Sequence, residues 1–311
     1  MNSCNFFSYT RVKTRAHLDS TASKPCASLV LCLWGDGNVK RGSLVALVFV
    51  IQISSVCEVH SAAQPLRSTV YLEELTWTEL RDAVRAGKTT AIIPIGGTEQ
   101  SGPDIALGKH NIRVQFLSGK IAQGLGNALV APVIAYVPEG TVNPPTSHMR
   151  YPGTITVPDE VFEGTLEYVA RSLKQAGFQN IVFLGDHGSY QRLEDAVARK
   201  LSRQWAGTNV RVIAVDAYYR ASTNGFDAIL RSRGYSANEI GKHAGLSDTS
   251  LQLAVAPETV RADRVKSGSD RRGGDGAEGD PRHASAELGQ LGVNEIVNTT
   301  ITAIRTSLGQ H

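Results

Sequence analysis

The apolar, β-branched run Ala91 to Ile95 stops at Gly96-Gly97 and gives way at once to Glu99, then to Ser101-Gly102-Pro103-Asp104 and His110. A strand buried on both faces needs apolar residues at successive positions rather than in alternation, and glycines end it. Such strands belong to parallel sheets, which present functional side chains beyond their carboxyl ends. Glu99 and His110 are therefore the first candidate site residues. Taken alone, the stretch fits equally well a strand, a polar surface loop and the start of the next helix. Its match to later segments decides.

The 311 residues, 41% hydrophobic and 20% charged, describe an ordinary folded protein with enough chain for a large core. A net charge of +3, with no basic stripe interleaved with aromatics, gives no footing to nucleic acid as a partner. Cys4, Cys26, Cys32 and Cys57 all precede His60. Beyond them the chain has neither disulfides nor thiolate ligands, so a metal site there must use His, Asp and Glu.

Lys40-Arg41, the apolar run Leu44–Ile51 and the small residues Ser61-Ala62-Ala63 form the three-part pattern of a secretory signal over 39–63. The run is shorter than the roughly 20 residues that span a bilayer, so no stable membrane insertion is expected after cleavage. The expected location is periplasmic or secreted. Residues 1–38 are expected to be a leader upstream of a start near Val39, and 68–311 a single domain.

Within that domain strands and helices alternate. Helices are expected over Thr78–Gly87 with Thr76 and Glu79 as a capping pair, Asn111–Leu125, Val161–Ala176, Arg192–Gln204 and Glu287–Leu308. Strands are expected over Ala91–Ile95, Leu129–Val137, Gly153–Val157, Asn180–Leu184 and Val210–Val215. The alternation predicts an α/β fold with a mainly parallel sheet. Pro138 to Pro152 reads as a long loop carrying Glu139, His148 and Arg150, and Asp263 to Arg282 as a mobile surface loop or a flap that orders over a ligand.

Two strands end in polar residues beside glycine: Ile95 into Glu99, and Leu184 into Gly185-Asp186-His187-Gly188. In a parallel sheet both ends share one edge. Glu99, His110 and His187 together offer a carboxylate and two imidazoles, a donor set suited to a divalent ion with an open position. A third polar turn, Gly241-Lys242-His243-Ala244-Gly245, precedes Asp248.

These segments carry a family resemblance. Gly97-Thr98-Glu99-Gln100-Ser101-Gly102-Pro103, Tyr151-Pro152-Gly153-Thr154-Ile155 after His148, Gly185-Asp186-His187-Gly188, and His243-Ala244-Gly245 with Asp248-Thr249-Ser250 resemble the creatininase (creatinine amidohydrolase) family from about Tyr71 to Ser307. The resemblance implies a three-layer α/β/α sandwich, a divalent-metal hydrolase of cyclic amides or related C–N bonds, a small-molecule substrate, and a homo-oligomer, often a hexamer. The departures matter as much. Where the family's first motif has two histidines stand Ser101 and Asp104, and His110 occupies the position of a bridging Asp. Ser189 stands where a Glu ligand follows the third motif's His.

The expectation is a site with one metal ion held by Glu99, His110 and His187: zinc, with manganese or iron as alternatives. The resemblance makes His243 the acid/base residue, with Asp248 orienting it or the water. His148, Arg150, Ser189 and Tyr190 are candidate substrate contacts, and Asp186 and Ser101 candidate supports behind the ligands. Two other readings stay open: hydrolysis of a cyclic ketone, lactone or formamide, and a degenerate periplasmic binding protein.

Overall fold

The computed structural model describes residues 69–267 and 274–309; the leader and signal segments lie outside the described residues. Four parallel strands, β1 (Thr90–Ile95), β2 (Ala128–Val130), β3 (Asn180–Gly185) and β4 (Arg211–Ala214), form one sheet in the order β2-β1-β3-β4. Every residue of the central strand β1 is buried, as its unbroken apolar run requires.

Alternate β1 side chains serve opposite layers. Ala91, Ile93 and Ile95 pack with Phe183 of β3 against helices α1 (Trp77–Arg85), α3 (Asp159–Gln175) and α4 (Gln191–Gln204). Ile92, with Val182 and Leu184, faces α2 (Lys109–Leu125) and the long α10 (Ala286–Leu308). The short helices α5 (Asp216–Arg220), α6 (Phe226–Ser232), α7 (Ala237–Ile240) and α8 (Leu246–Val255) complete that second layer, and α9 (Ala262–Ser267) follows them. The fold is an α/β/α sandwich. Thr76 and Glu79 form the expected capping box: Thr76 N–H donates to Glu79 Oε2 (2.7 Å) and Glu79 N–H to Thr76 Oγ1 (3.3 Å). Among the described residues no helix is long and apolar enough to cross a membrane.

Two expected strands are not built as read. The run Leu129–Val137 stays in the ladder only to Val130. Ala131 N–H then reaches Ile92 O (2.8 Å) and Ile134 N–H reaches Pro94 O (3.0 Å), so the chain spends an extra residue, bulging at Pro132-Val133. Pro94, which has no N–H to give, sits where that ladder has already lapsed. Gly153–Val157 makes one antiparallel bridge, Ile155 with Thr98, rather than a strand, because Gly153 and Pro158 bracket a segment with no second strand to pair with.

Candidate metal centre

The sheet topology brings the carboxyl ends of β1 and β3 together. Glu99 lies in the loop after β1 and Asp186-His187 directly after β3, while α2 starts with Lys109-His110. Glu139 follows the β2 extension, His148 lies in the short helical turn Ser147–Arg150, and His243 lies between α7 and α8. The Gly96-Gly97 pair lets these parts meet. A Cβ on Gly96 would lie 2.2 Å from Asn111 Oδ1, and one on Gly97, whose φ is +150°, 2.7 Å from Glu139 Oε1.

Glu99 is fully buried, and its two oxygens face different company. Oε1 lies 2.8 Å from His110 Nε2, 3.4 Å from Lys109 Nζ and 3.7 Å from His243 Nδ1. Oε2 lies 3.2 Å from His148 Nε2 and 3.3 Å from His187 Nε2, yet accepts no directed hydrogen bond. Both oxygens of the buried Glu139 are also unpaired, and Oε2 is 3.8 Å from His187 Nδ1. One ligand atom from each of Glu99, Glu139, His148 and His187 lies within 4.8 Å of the others.

Burial pushes the Glu139 carboxyl up to about 9, and the like charge of Glu99 adds to it. Burial also pushes Glu99 upward, but His110 and Lys109 overcome it and hold that carboxyl well below its usual range. His187 is lowered, chiefly by burial, which favours the neutral ring a metal needs. Unpaired buried carboxylate oxygens are costly, and one from each of Glu99 and Glu139 gathered with imidazole nitrogens makes a donor set that fits a divalent cation.

Hydrogen bonds fix the tautomers. Ser189 Oγ donates its one proton to Pro138 O (2.8 Å) and stands 2.8 Å from His187 Nδ1, closer than the Ser189 N–H at 3.3 Å; a ring that donates Nδ1–H to the hydroxyl oxygen leaves Nε2 bare. The Gln100 amide accepts from Gly102 N–H (2.9 Å) and donates to Gly276 O (3.1 Å). Its second amide proton goes to His148 Nδ1 (3.0 Å), so the proton of a neutral His148 ring sits on Nε2. His243 Nε2 donates to Gln100 O (2.8 Å), which leaves Nδ1 as an acceptor. Burial, with Lys109 adding, lowers His243 to about 4.

Behind these groups runs a closed circuit of charges. His110 Nδ1 meets Asp186 Oδ2 (2.6 Å), which also accepts from Arg113 Nε (2.8 Å). Arg113 Nη1 donates to Asp248 Oδ1 (2.8 Å), Asp248 Oδ2 accepts from Lys109 Nζ (2.8 Å), and Lys109 returns to Glu99. Tyr218 donates to the free Asp186 oxygen (2.7 Å).

The structure thus brings together Glu99, His110, His148, Asp186, His187, His243 and Asp248. His110 stands behind Glu99 with both ring nitrogens engaged by carboxylates, and Glu139 joins the converging group instead. Asp248 engages Lys109, Arg113 and the Ala244 N–H (3.0 Å). Ser101 is buried with its hydroxyl unpaired. Arg150 is exposed and does not line the cavity. Tyr190 is fully buried; its one hydroxyl proton lies between the carbonyls of Ile95 (2.9 Å) and Gly96 (2.5 Å), and its oxygen accepts from His187 N–H (3.1 Å), stapling the two strand ends. The Asp263–Arg282 segment contributes Gly276 and Glu278, the latter bridged to His243, to the wall of the site.

Sequence reasoning missed Glu139, Gln100, Lys109 and Arg113 as site residues. Pro138-Glu139-Gly140 resembles the setting of Glu99, an acid within two residues of a glycine after an apolar run. Lys109 and Arg113 flank His110 at i,i+4 spacing, which usually marks a solvated helix face.

A cavity of about 760 Å³ is bordered by His148, His187 and His243, and much of the rest of its wall is polar, with Tyr219, Thr223, Asn224, Asp227, Ser247 and Lys242. The Glu139 environment yields a test. The folded carboxyl holds its proton to about 9, whereas the unfolded one loses it near 4.5. Between those values the folded state binds a proton that the unfolded state lacks, so this group's contribution falls as pH rises. The melting temperature of chelator-treated protein is expected to drop from pH 5 to pH 9, and saturating zinc to restore it. A flat profile without metal would count against the group.

Residues 73–304 match the family model creatininase, described as creatinine amidohydrolase. Creatinine amidohydrolase of Pseudomonas putida is 27% identical over 207 residues, covering 64% of this chain and 77% of that protein. The 3-dehydro-scyllo-inosose hydrolase of Thermotoga maritima is 27% identical over 191 residues, 61% of this chain and 57% of that protein. A solved creatininase structure described with Mn shares the fold at a TM-score of 0.62, with 23% identity over 77% of this chain and 99% of that one.

Proposed function

The chain belongs to the creatininase family of metal-dependent amidohydrolase-type enzymes, and we propose that it hydrolyses a cyclic amide or related C–N bond with one divalent ion per chain. Zinc is the preferred ion, with manganese or iron as alternatives. One observation carries the reading. Glu99 and Glu139, whose buried carboxyl groups hold three unpaired oxygens, each bring a ligand atom within 4.8 Å of a ring nitrogen of His187 at the carboxyl edge of the sheet. Glu99, Glu139 and His187 would hold the ion, a ligand set that differs from the sequence expectation in taking Glu139 in place of His110. Three protein ligands leave a position open, as catalytic zinc sites do.

Bound there, a divalent ion polarises a substrate carbonyl and lowers the pKa of a water to roughly 7. The chain's own residues supply the rest. His148 lines the cavity with its proton on Nε2, suited to a substrate oxygen. His243 offers Nδ1 as a proton acceptor and, once protonated, donates to the leaving nitrogen. Gln100 holds both rings in these complementary states.

The polar part of the cavity wall favours a second reading of the substrate, a hydroxylated ring with a ketone in place of the amide. That is also the chemistry named by the Thermotoga maritima relative. Export, read from residues 39–63, and self-association, read from the family resemblance, belong to the same proposal. The test is metal analysis of the purified chain, followed by turnover assays on a panel of lactams, cyclic amides and cyclic polyol ketones. One bound ion with turnover of a lactam or cyclic amide is the expected result. A chain that binds no divalent ion, or that binds ring compounds without turning any over, would sink it.

A further inference from the structure

Lys109 is 1% exposed, among the most buried large side chains in the molecule, yet it borders the cavity. A lysine is seldom buried without a partner of opposite charge. Its ammonium donates to Asp248 Oδ2 at 2.8 Å and lies 3.4 Å from Glu99 Oε1. That is the oxygen of Glu99 turned away from the converging group of Glu139, His148 and His187. The side chain of Glu99 therefore spans two cationic positions, one on each oxygen, and on one of them a cation is built into the chain.

We infer that Lys109 is the resident second cation of this site: its ammonium fills a position that could otherwise take a second metal ion, so that Glu99 bridges one metal and one lysine. The inference rests on the single-ion reading above and supplies its physical cause. The atoms around the ammonium are those that would bind a metal. Two carboxylate oxygens, Glu99 Oε1 and Asp248 Oδ2, contact it, and His243 Nδ1, whose lone pair is free, stands 3.7 Å from Glu99 Oε1. A compact point charge with three donors suits that place. One donor meets Asp248, while Glu99 Oε1 has the ammonium at 3.4 Å and His110 Nε2 at 2.8 Å. Position 109 also opens α2, so the helix start fixes its backbone. Arg113, one turn on, takes the other oxygen of Asp248 and keeps that carboxylate in place when the lysine is changed.

The experiment counts zinc ions by equilibrium dialysis against zinc alone, on the full chain and on Lys109→Gln and Lys109→Arg. The wild type and Lys109→Arg are expected to bind one ion per chain and Lys109→Gln two, the second lost again in Lys109→Gln combined with Asp248→Asn. A wild type that binds two ions overturns the inference whether or not the glutamine variant folds. So does a folded Lys109→Gln that still binds one. A wild type that binds none removes the metal centre itself, an outcome distinct from either.

Discussion

Replacing His243 with alanine is expected to lower kcat by roughly 10²- to 10⁴-fold, the range for loss of a positioned acid/base group, while leaving the zinc content unchanged. The two halves of that expectation come from different atoms. The acceptors proposed to hold the ion belong to Glu99, Glu139 and His187, so the ion does not need the His243 ring. Proton transfer does, because Nε2 is tied to Gln100 O and Nδ1 is the nitrogen left to accept. Burial holds the ring near 4, so it is neutral at physiological pH and active as an acceptor. Activity should then fall on the acid side as pH drops toward that value, and the alanine variant should lack this limb. A variant within about tenfold of wild type, or one that loses its metal, would assign His243 a structural role.

The second large effect falls on stability. Asp186→Ala is expected to cost about 3–5 kcal/mol, the usual penalty for removing one partner of a buried ion pair. At roughly 2–4 °C per kcal/mol for a domain of this size, that is a drop of about 6–20 °C in melting temperature. Asp186 is 1% exposed and receives His110, Arg113 and Tyr218 on two oxygens. Without it, Arg113 and His110 keep their burial and lose a counter-charge. Asp186→Asn retains the shape and part of the hydrogen bonding and should cost less. Burial pushes the Asp186 carboxyl upward, but Arg113 and His110 override it, so its folded value lies below 3.8. A depressed carboxylate stabilises the fold above its unfolded value, and that contribution is lost as pH falls through the folded one. The wild type should therefore lose stability below about pH 4 more steeply than Asp186→Asn. Equal acid profiles for the two would remove Asp186 from the circuit.

How much of this was legible in the sequence depended on whether the determinant was local. The burial of β1 is written residue by residue in Ala91–Ile95, and Glu99 and His187 follow from the rule that parallel strands end at one edge. The pairing of His110 was not legible. Its spacing marks a helix start, but which carboxylates close around a ring depends on β3 and on residues far along the chain. Glu139 was hidden for a related reason, since a loop has no period to single out one acid among its Pro, Thr and Gly. Lys109 and Arg113 have the i,i+4 spacing common on solvated helix faces, and only the fold shows that Asp186 and Asp248 come to meet them. Gly153–Val157 erred the other way: alternating Thr, Ile and Val fit a strand, but a strand also needs a neighbour.

The Gln100 side chain has a stereochemical consequence. One planar amide, locked by Gly102 on its oxygen and Gly276 on its nitrogen, gives a hydrogen to His148, while the same residue's carbonyl takes one from His243. The two imidazoles cannot trade parts without a flip that both glycines resist. A planar ring entering the cavity therefore meets a donor on one flank and an acceptor on the other, always in the same sense. Ring substrates that carry their own donor and acceptor in transposed positions should be told apart.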